Sequence, residues 1–239
     1  NGAGNTAKII FNSSGTWMFS TVANQENVLL QGNYEGISVL KKEGNEWLFS
    51  NKINGFDLSA KHFVATDSLE VFVSHEYKGV FRFTLDNNFN LLSKVEMVNT
   101  APKGKNASVS TLSGNVFYAS KEGFFTWSKS RKVFEIDSAV TKTLKENGYA
   151  SGKCIADASG RLWFFTINDI NYLTNSLVSD ARRVVSIPVA YELINPMNGY
   201  ETLVETNSNT VLIGSTDGYL ELSVTHKNPS NYKIYLDNV

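Results

Sequence analysis

The sequence predicts an all-β fold, a β-propeller of four-stranded antiparallel blades, and two observations carry the prediction. One short sequence motif occurs five times: an apolar run, a small or polar turn that usually holds a glycine, and a second apolar run. The copies are evenly spaced, 43 to 49 residues apart, and begin at Val28, Val71, Val116, Leu162 and Val211. Strand-rich repeats of roughly 40–50 residues are typical of propeller blades. We expect repeats at residues 15–56, 57–100, 105–140, 150–194 and 198–239. We also expect these repeats to be part of a larger ring, for example one of roughly seven blades.

The second repeat shows the four expected strands most clearly. Val, Phe and Thr recur there with a period of two, and Asp, Asn and Gly separate the runs, which lie at 58–66, 71–75, 80–85 and 91–98. Such alternation is typical of half-buried strands, and such separators are typical of turns. The glycines of the motif, for example Gly36 and Gly79, are each expected in a hairpin turn with positive φ. Asp169 takes its place in the fourth copy and is expected to adopt the same turn.

Three segments fall outside the repeat. Residues 139–150 favour a short helix ending at Gly148, on a loop between blades. Residues 187–200, with Pro188 and Pro196, favour an insertion. Residues 7–11 favour a lone strand, which either closes a five-bladed ring or is the outer strand of a preceding blade. We favour the second interpretation, because both ends of the sequence look cut.

Composition excludes several classes of function. The net charge is −1, so the chain has no basic surface of the kind that binds nucleic acid. Cys154 is the only cysteine, which rules out an internal disulfide framework. No apolar run approaches the roughly 18 residues that a membrane helix needs. His62, His75 and His226 lack metal-type spacing, and neither a metal nor another cofactor is expected.

The acidic residues are expected to serve structure more than catalysis. Asp67 and Asp157 precede turns, where a carboxylate accepts bonds from backbone N–H groups. A glycosidase would need two carboxylates facing each other across a sugar, and only Glu201 and Glu205 offer an alternative pair. Cys154 is expected to be a buried, inert side chain. The large tryptophans on strands are expected to pack between blades.

Topology indicates the binding surface better than any motif does. In a propeller, the turns between second and third strands and the loops between blades share one face, and ligands favour such rims. Polar and aromatic residues on that face are the candidate ligand-binding residues: Tyr34, His75, Tyr77, Lys105, Lys121, Tyr149, Asn168 and Asp217. Their rings are suited to stack on a small polar ligand such as an oligosaccharide, although loops are polar for the simple reason that they meet water.

The fourth repeat carries a more specific pattern. Residues 157–169 read DASGRLWFFTIND and resemble the repeat of two-component-regulator propellers, roughly D-x-x-G-x-L-W-I-G-T-x-x-G-L. Asp157, Gly160, Leu162, Trp163 and Thr166 match that pattern. The fifth repeat matches it in part, and the other three are degenerate. Residues 231–239 resemble the opening strand of the triple-tyrosine domain that follows such propellers.

The resemblance implies a function. In that family the propeller is the periplasmic or extracellular, non-catalytic sensor of a bacterial protein tethered in the membrane, with a histidine kinase or a helix-turn-helix regulator on the other side. Its ligands are often breakdown products of polysaccharides, and a homodimer through the propeller is a further expectation. The alternative is a secreted five-bladed carbohydrate-active protein, either a glycoside hydrolase or a lectin-like binder. A plain interaction scaffold is the third reading.

Overall fold

The strands of this chain form five separate sheets. A computed structural model describes residues 8–175, 182–189, 194, 198–224 and 235–236. Within them, twenty strands group into five antiparallel sheets, each built from four consecutive strands. This is the meander of a propeller blade, and the predicted fold class is confirmed. The number of blades in a closed ring stays a prediction.

The bounds of the strands follow the five repeats. The first sheet holds β1 (Met18–Val22), β2 (Gln25–Asn33), β3 (Gly36–Glu43) and β4 (Glu46–Lys52). The second holds β5 (His62–Ala65), β6 (Glu70–His75), β7 (Gly79–Thr84) and β8 (Glu96–Val98). The third holds β9 (Ser108–Leu112), β10 (Asn115–Ser120), β11 (Gly123–Ser128) and β12 (Val133–Ile136). After helix α1 (Ser138–Glu146), the fourth holds β13 (Tyr149–Ala156), β14 (Leu162–Thr166), β15 (Asp169–Asn175) and β16 (Arg182–Pro188). The fifth holds β17 (Leu203–Asn207), β18 (Thr210–Gly214), β19 (Tyr219–Ser223) and β20 (Tyr235–Leu236).

The start of the chain differs from the expectation. Residues 8–11 form no strand, so the predicted lone strand is wrong for the part of 7–11 that is described. Tyr235 and Leu236 pair with β19 in the fifth sheet, within the repeat expected at 198–239, and a following triple-tyrosine domain stays a prediction. Most of the predicted insertion at 187–200 lies outside the described residues.

The predicted helix is present and its capping explains its bounds. The Asp137 side chain accepts a hydrogen bond from the Val140 N–H at 3.1 Å, which is the standard N-cap contact. The helix ends at Glu146 with Asn147 as its C-cap, and Gly148 follows with φ +80°. Thr141 ties the helix to β11, because its hydroxyl accepts from the Phe124 N–H and donates to the Phe124 carbonyl.

One predicted turn has a different cause. Gly36, Gly79 and Gly123 do adopt positive φ, between +102° and +153°. Asp169 does not. Instead, the Thr166 hydroxyl accepts from the Asp169 N–H and donates to the Asp169 carbonyl, which closes that turn without a left-handed residue. The fourth copy therefore needs no glycine there.

The chain packs into two units, each with its own apolar interior. One comprises Asn1–His75 and Val80–Met97, and the other Glu76–Gly79 and Val98–Val239. The first unit is filled by aliphatic side chains together with Phe56, Phe63, Phe83 and Phe89. The second has two clusters, one around Phe117, Phe124 and Phe164 and the other around Trp163, Phe165 and Ile213. Alternate residues of each strand supply these interiors, as the period of two predicts.

Candidate ligand-binding site

An open depression lies in the second unit, where the third and fourth sheets meet. The loop before β9, the turn between β10 and β11, and the start of β13 converge there. The cavity has a volume of about 400 Å³. We call it the lysine depression and define it by its lining residues: Lys103, Gly104, Lys105, Asn106, Lys121, Glu122, Tyr149 and Ala150.

Two tyrosines fasten the loop that forms one wall. The Tyr118 hydroxyl donates to the Pro102 carbonyl at 2.6 Å, and the Tyr149 hydroxyl donates to the Asn106 carbonyl at 2.9 Å. The Asn106 carbonyl also accepts from the Gly152 N–H at 2.8 Å. The loop that carries Lys103 and Lys105 is thus held at both ends.

Both phenols stay protonated at neutral pH. Burial raises the pKa of Tyr118 well above its usual range. Burial does the same to the pKa of Tyr149, and the nearby Cys154, Tyr118 and Glu201 add to the effect. A neutral phenol is a hydrogen-bond donor, so both loop contacts are intact over the physiological range, and the raised pKa values extend that range to higher pH.

A close backbone approach joins the two sheets beneath the depression. A Cβ built on Gly152 would lie 2.8 Å from the Ser108 nitrogen and closer still to the Ala119 carbonyl oxygen. Only glycine fits there without a shift of the backbone. The start of β13 therefore lies directly against β9 and β10, which fixes Tyr149 beside the loop.

The depression has an excess of positive charge. Lys103, Lys105 and Lys121 are exposed, and Glu122 is the only acid among the lining residues. Within the described part of the chain, none of the three lysines forms a salt bridge or a side-chain hydrogen bond. Other lysines do, as in the pairs Lys52–Asp57 and Lys142–Glu146. An excess of two positive charges thus faces solvent in a chain whose net charge is −1.

The structure brings three of the eight candidate residues together. Lys105, Lys121 and Tyr149 line the lysine depression. The other five lie at the predicted kind of position, at the ends or turns of second and third strands, but do not line it. Asn168 and Asp217 are exposed turn residues, and Tyr77 is 72% exposed. Tyr34 packs edge-on against Trp17 with ring centres 4.6 Å apart, and His75 is half-buried at the end of β6.

Sequence reasoning missed the contacts that shape the site. In the sequence, Tyr118 looks like an ordinary strand residue, and nothing indicates that its hydroxyl donates to the Pro102 carbonyl. Gly104 is in ordinary van der Waals contact with the third sheet, since a Cβ added to it would lie 3.5 Å from the Ser120 Cβ. No motif indicates that contact either.

Two of the candidate carboxylates, Asp157 and Glu205, lie at the opposite end of β13. Asp157 accepts from the Arg161 N–H at 2.8 Å, which confirms its predicted capping role, and from the Trp163 indole N–H at 2.7 Å. The Arg161 guanidinium donates to Asp157 at 2.5 Å and to Glu205 at 3.0 Å. Glu205 also accepts from the Ser159 N–H and hydroxyl. We call these five residues the Arg161 cluster.

The other candidate acids and the cysteine have different surroundings. Asp67 makes no such cap, because the Thr66 hydroxyl accepts from the Glu70 N–H at that turn. Glu201 is buried, 2% exposed, just before β17. Cys154 is buried as predicted, and burial raises the pKa of its thiol to about 12. Among the described residues, no three acidic, histidine or cysteine side chains cluster as metal ligands would. No described helix has the length and apolarity needed to cross a membrane.

Comparison with solved structures places the fold among β-propellers. The extracellular domain of the hybrid two-component system BT3049 from B. thetaiotaomicron matches with a TM-score of 0.59 and 12% identity, over 99% of this chain and 30% of that one. The extracellular domain of BT4673, a hybrid two-component system of the same organism, matches with a TM-score of 0.58 and 11% identity, over 93% of this chain and 30% of that one. The chain thus spans about a third of the length of these proteins.

Enzymes described on the same fold also match. A protein described as a 6-phosphogluconolactonase from Bacteroides uniformis has a TM-score of 0.56 and 12% identity, over 90% of this chain and 68% of that one. No family model matches the chain. No curated protein sequence matches it either. The resemblance to two-component-regulator propellers, suggested by the fourth repeat, is therefore confirmed at the level of the fold.

Proposed function

We propose that this chain is the extracytoplasmic sensing segment of a bacterial membrane-spanning signalling or transcription regulator. The observation that carries the proposal is the coincidence of two independent likenesses. The repeat at 157–169 resembles two-component-regulator propellers, and the five four-stranded sheets match extracellular domains of such systems. Since fold alone does not determine function, the proposal also needs a site.

The lysine depression is the site that we assign to this role. It is concave, it lies on loops between blades, and its walls are held by buried contacts, which are common properties of binding sites. We propose a small polar ligand, of which polysaccharide breakdown products are one class. Lys105, Lys121 and Tyr149 are the proposed contacts. Occupancy would change how the segment packs, including against a second chain, and so pass a signal toward the membrane.

We propose further that the segment acts without catalysis. Hydrolysis of a glycoside would require two carboxylates that face a common substrate. Glu205, one of the two alternatives, is held by Arg161 and Ser159, and such an ion pair would oppose a catalytic role. Assays with nitrophenyl glycosides and with 6-phosphogluconolactone test this point directly. Turnover that depends on Glu201 would contradict it.

The experiment that tests the sensor proposal reads the gene on both sides of this segment. We expect further blades upstream, and downstream a triple-tyrosine domain, a membrane helix and a kinase or helix-turn-helix region. A reporter enzyme active only outside the cytoplasm, fused after residue 224, should then be active in cells. A stop codon directly after Val239 together with a leader directly before Asn1 would refute the proposal in favour of a small secreted protein.

A further inference from the structure

The charge of the lysine depression points to the class of ligand. Three lysines face one glutamate around a cavity of about 400 Å³. Within the described residues no acid is paired with any of the three. A concave surface with an excess of one sign of charge concentrates ligands of the opposite sign.

The backbone of the loop supports the same conclusion. Its carbonyl oxygens at Pro102, Gly104 and Asn106 are all occupied as acceptors, by Tyr118, by the Ala107 N–H, and by Tyr149 with Gly152. Among the side chains that line the depression, three are lysine ammonium groups, which only donate, beside one carboxylate at Glu122 and one amide at Asn106. Such a surface suits a group that only accepts.

The lysines are also well placed before any ligand arrives. The Lys103 stem packs near Gly79, whose built Cβ would lie 3.5 Å from the Lys103 Cγ. The loop between Pro102 and Asn106 is held at both ends by tyrosine hydroxyls. Because the loop is already ordered, binding loses less conformational entropy than it would on a free loop.

We propose that the lysine depression binds its ligand through an anionic group, a carboxylate, a sulfate or a phosphate. This inference rests on the proposed function, since it names the ligand class that the sensing site takes. The shared chemistry is an oxyanion held by Lys103, Lys105 and Lys121, with the rest of the ligand against Tyr149 and Ala150. Glu122 would exclude a second anionic group from its side of the cavity.

Calorimetric titration of the 239-residue chain with matched probes tests the proposal. D-glucose and D-glucuronate differ only in the oxidation of C6 to a carboxylate, and inorganic sulfate and inorganic phosphate distinguish the other two sources. We expect at least one anion to bind more tightly than glucose by about fivefold or more, and its binding to weaken as NaCl rises. The anion that binds most tightly identifies the source.

Substitutions then locate the site. K105Q and K121Q should each weaken anion binding by about fivefold. Lys129 provides the matched control, because it is an exposed lysine at the opposite end of the same sheet, in the turn between β11 and β12. K129Q should leave binding unchanged. Thermal unfolding followed by circular dichroism shows whether each variant keeps its fold, and the NMR amide shifts of Gly104 and Ala150 map the probe independently of any variant.

Three results would overturn the inference. One is that none of the tested anions binds more tightly than glucose, the second is anion binding that K129Q weakens as much as K105Q, and the third is no saturable binding of any anion at low salt. None of them refutes the sensor proposal, which fails separately on the flanking gene. Conversely, a stop codon directly after Val239 together with a leader directly before Asn1 would refute the sensor while leaving an anion site in place.

Discussion

The two ends of strand β13 place cations in opposite ways. At its end, Arg161 is 7% exposed and is held by two carboxylates, Asp157 and Glu205. At its start, beside Tyr149, three exposed lysines share a cavity with one glutamate. The two sites lie at opposite ends of this eight-residue strand.

The difference indicates which end of the strand contributes to stability and which end is suited to bind and release a ligand. A buried guanidinium must keep its partners, since an uncompensated charge in the interior is costly. It therefore joins the fourth sheet to the fifth through Glu205 and the Ser208 carbonyl. An exposed lysine on a braced loop costs little to keep, and its charge stays available to a ligand.

Substitution of Asp157 should destabilise the Arg161 end of β13. Asp157→Ala removes the Arg161 ion pair, the turn cap and the partner of the Trp163 indole at once. We expect the free energy of unfolding to fall by about 3–5 kcal/mol, because Arg161 is left buried with half its compensation. Urea unfolding followed by tryptophan fluorescence measures it.

Glu146→Gln is the matched control for that substitution. Glu146 pairs with Lys142 on the exposed face of α1, at 3.8 Å. Removing it should change the free energy of unfolding by less than about 0.5 kcal/mol. Equal losses in the two variants would show that the buried Arg161 cluster contributes no more to the free energy of unfolding than an exposed ion pair does.

Gly152→Ala tests the join beneath the lysine depression. The new methyl group would meet the backbone of β9 and β10, which cannot move without separating the two sheets. We expect a loss of about 2–3 kcal/mol in the free energy of unfolding. In Gly114→Ala, a turn glycine with φ +72° and open space around it, only backbone strain of about 1 kcal/mol is expected. A smaller loss for Gly152→Ala than for Gly114→Ala would mean that the approach is not tight.

The fold was largely predictable because it repeats. A period of two within each strand and about 45 residues between copies constrain every blade in the same way. The failures lie where the repeat gives no help. Ile9, Ile10 and Phe11 are apolar and β-prone enough to resemble a strand, yet their pairing depends on a neighbour that local sequence does not specify. At Asp169 the Thr166 hydroxyl replaces the expected glycine conformation.

Some residues that line the lysine depression could be grouped from the sequence, but the contacts that shape it could not. Topology assigned Lys105, Lys121 and Tyr149 to one kind of loop, and they do line one depression. Five other residues satisfied the same rule and lie elsewhere, because the rule describes a face and not a cavity. The bonds from Tyr118 and Tyr149 span 16 and 43 residues of sequence, and such contacts leave no local pattern.

Alkaline pH should sharpen the contrast between the two ends. Burial raises the pKa of both Tyr118 and Tyr149 above the ordinary value of 10.0. The folded chain then holds these protons more tightly than the unfolded chain does. Their contribution to stability is complete below about pH 10 and is lost progressively as the pH rises through and above that value.

Tyr149→Phe isolates one of the two tyrosines. The variant should lose about 1 kcal/mol at neutral pH, the usual contribution of one hydrogen bond. Its stability should also fall less steeply than that of the parent chain above about pH 10, since one of the two titrating phenols is gone. Urea unfolding at a series of pH values tests both points. An unchanged slope above that pH would mean that Tyr149 is exposed enough to ionise in the folded chain.

The smallest expected effect concerns Cys154, below the depression. Its thiol is buried, donates to the Gly152 carbonyl at 3.5 Å, and has a pKa raised to about 12 by burial. At about pH 8 only about one thiol in ten thousand is then ionised, and the thiolate is the reactive form. A thiol-specific reagent such as a disulfide of thionitrobenzoate should leave the folded chain unmodified and label one thiol in urea. The matched control is Ser130→Cys, which places a thiol on an exposed turn of the third sheet and should react at once. Rapid labelling of Cys154 in the folded chain would mean that the wall between the depression and the interior opens, and that the Tyr149 end of β13 is looser than its hydrogen bonds indicate.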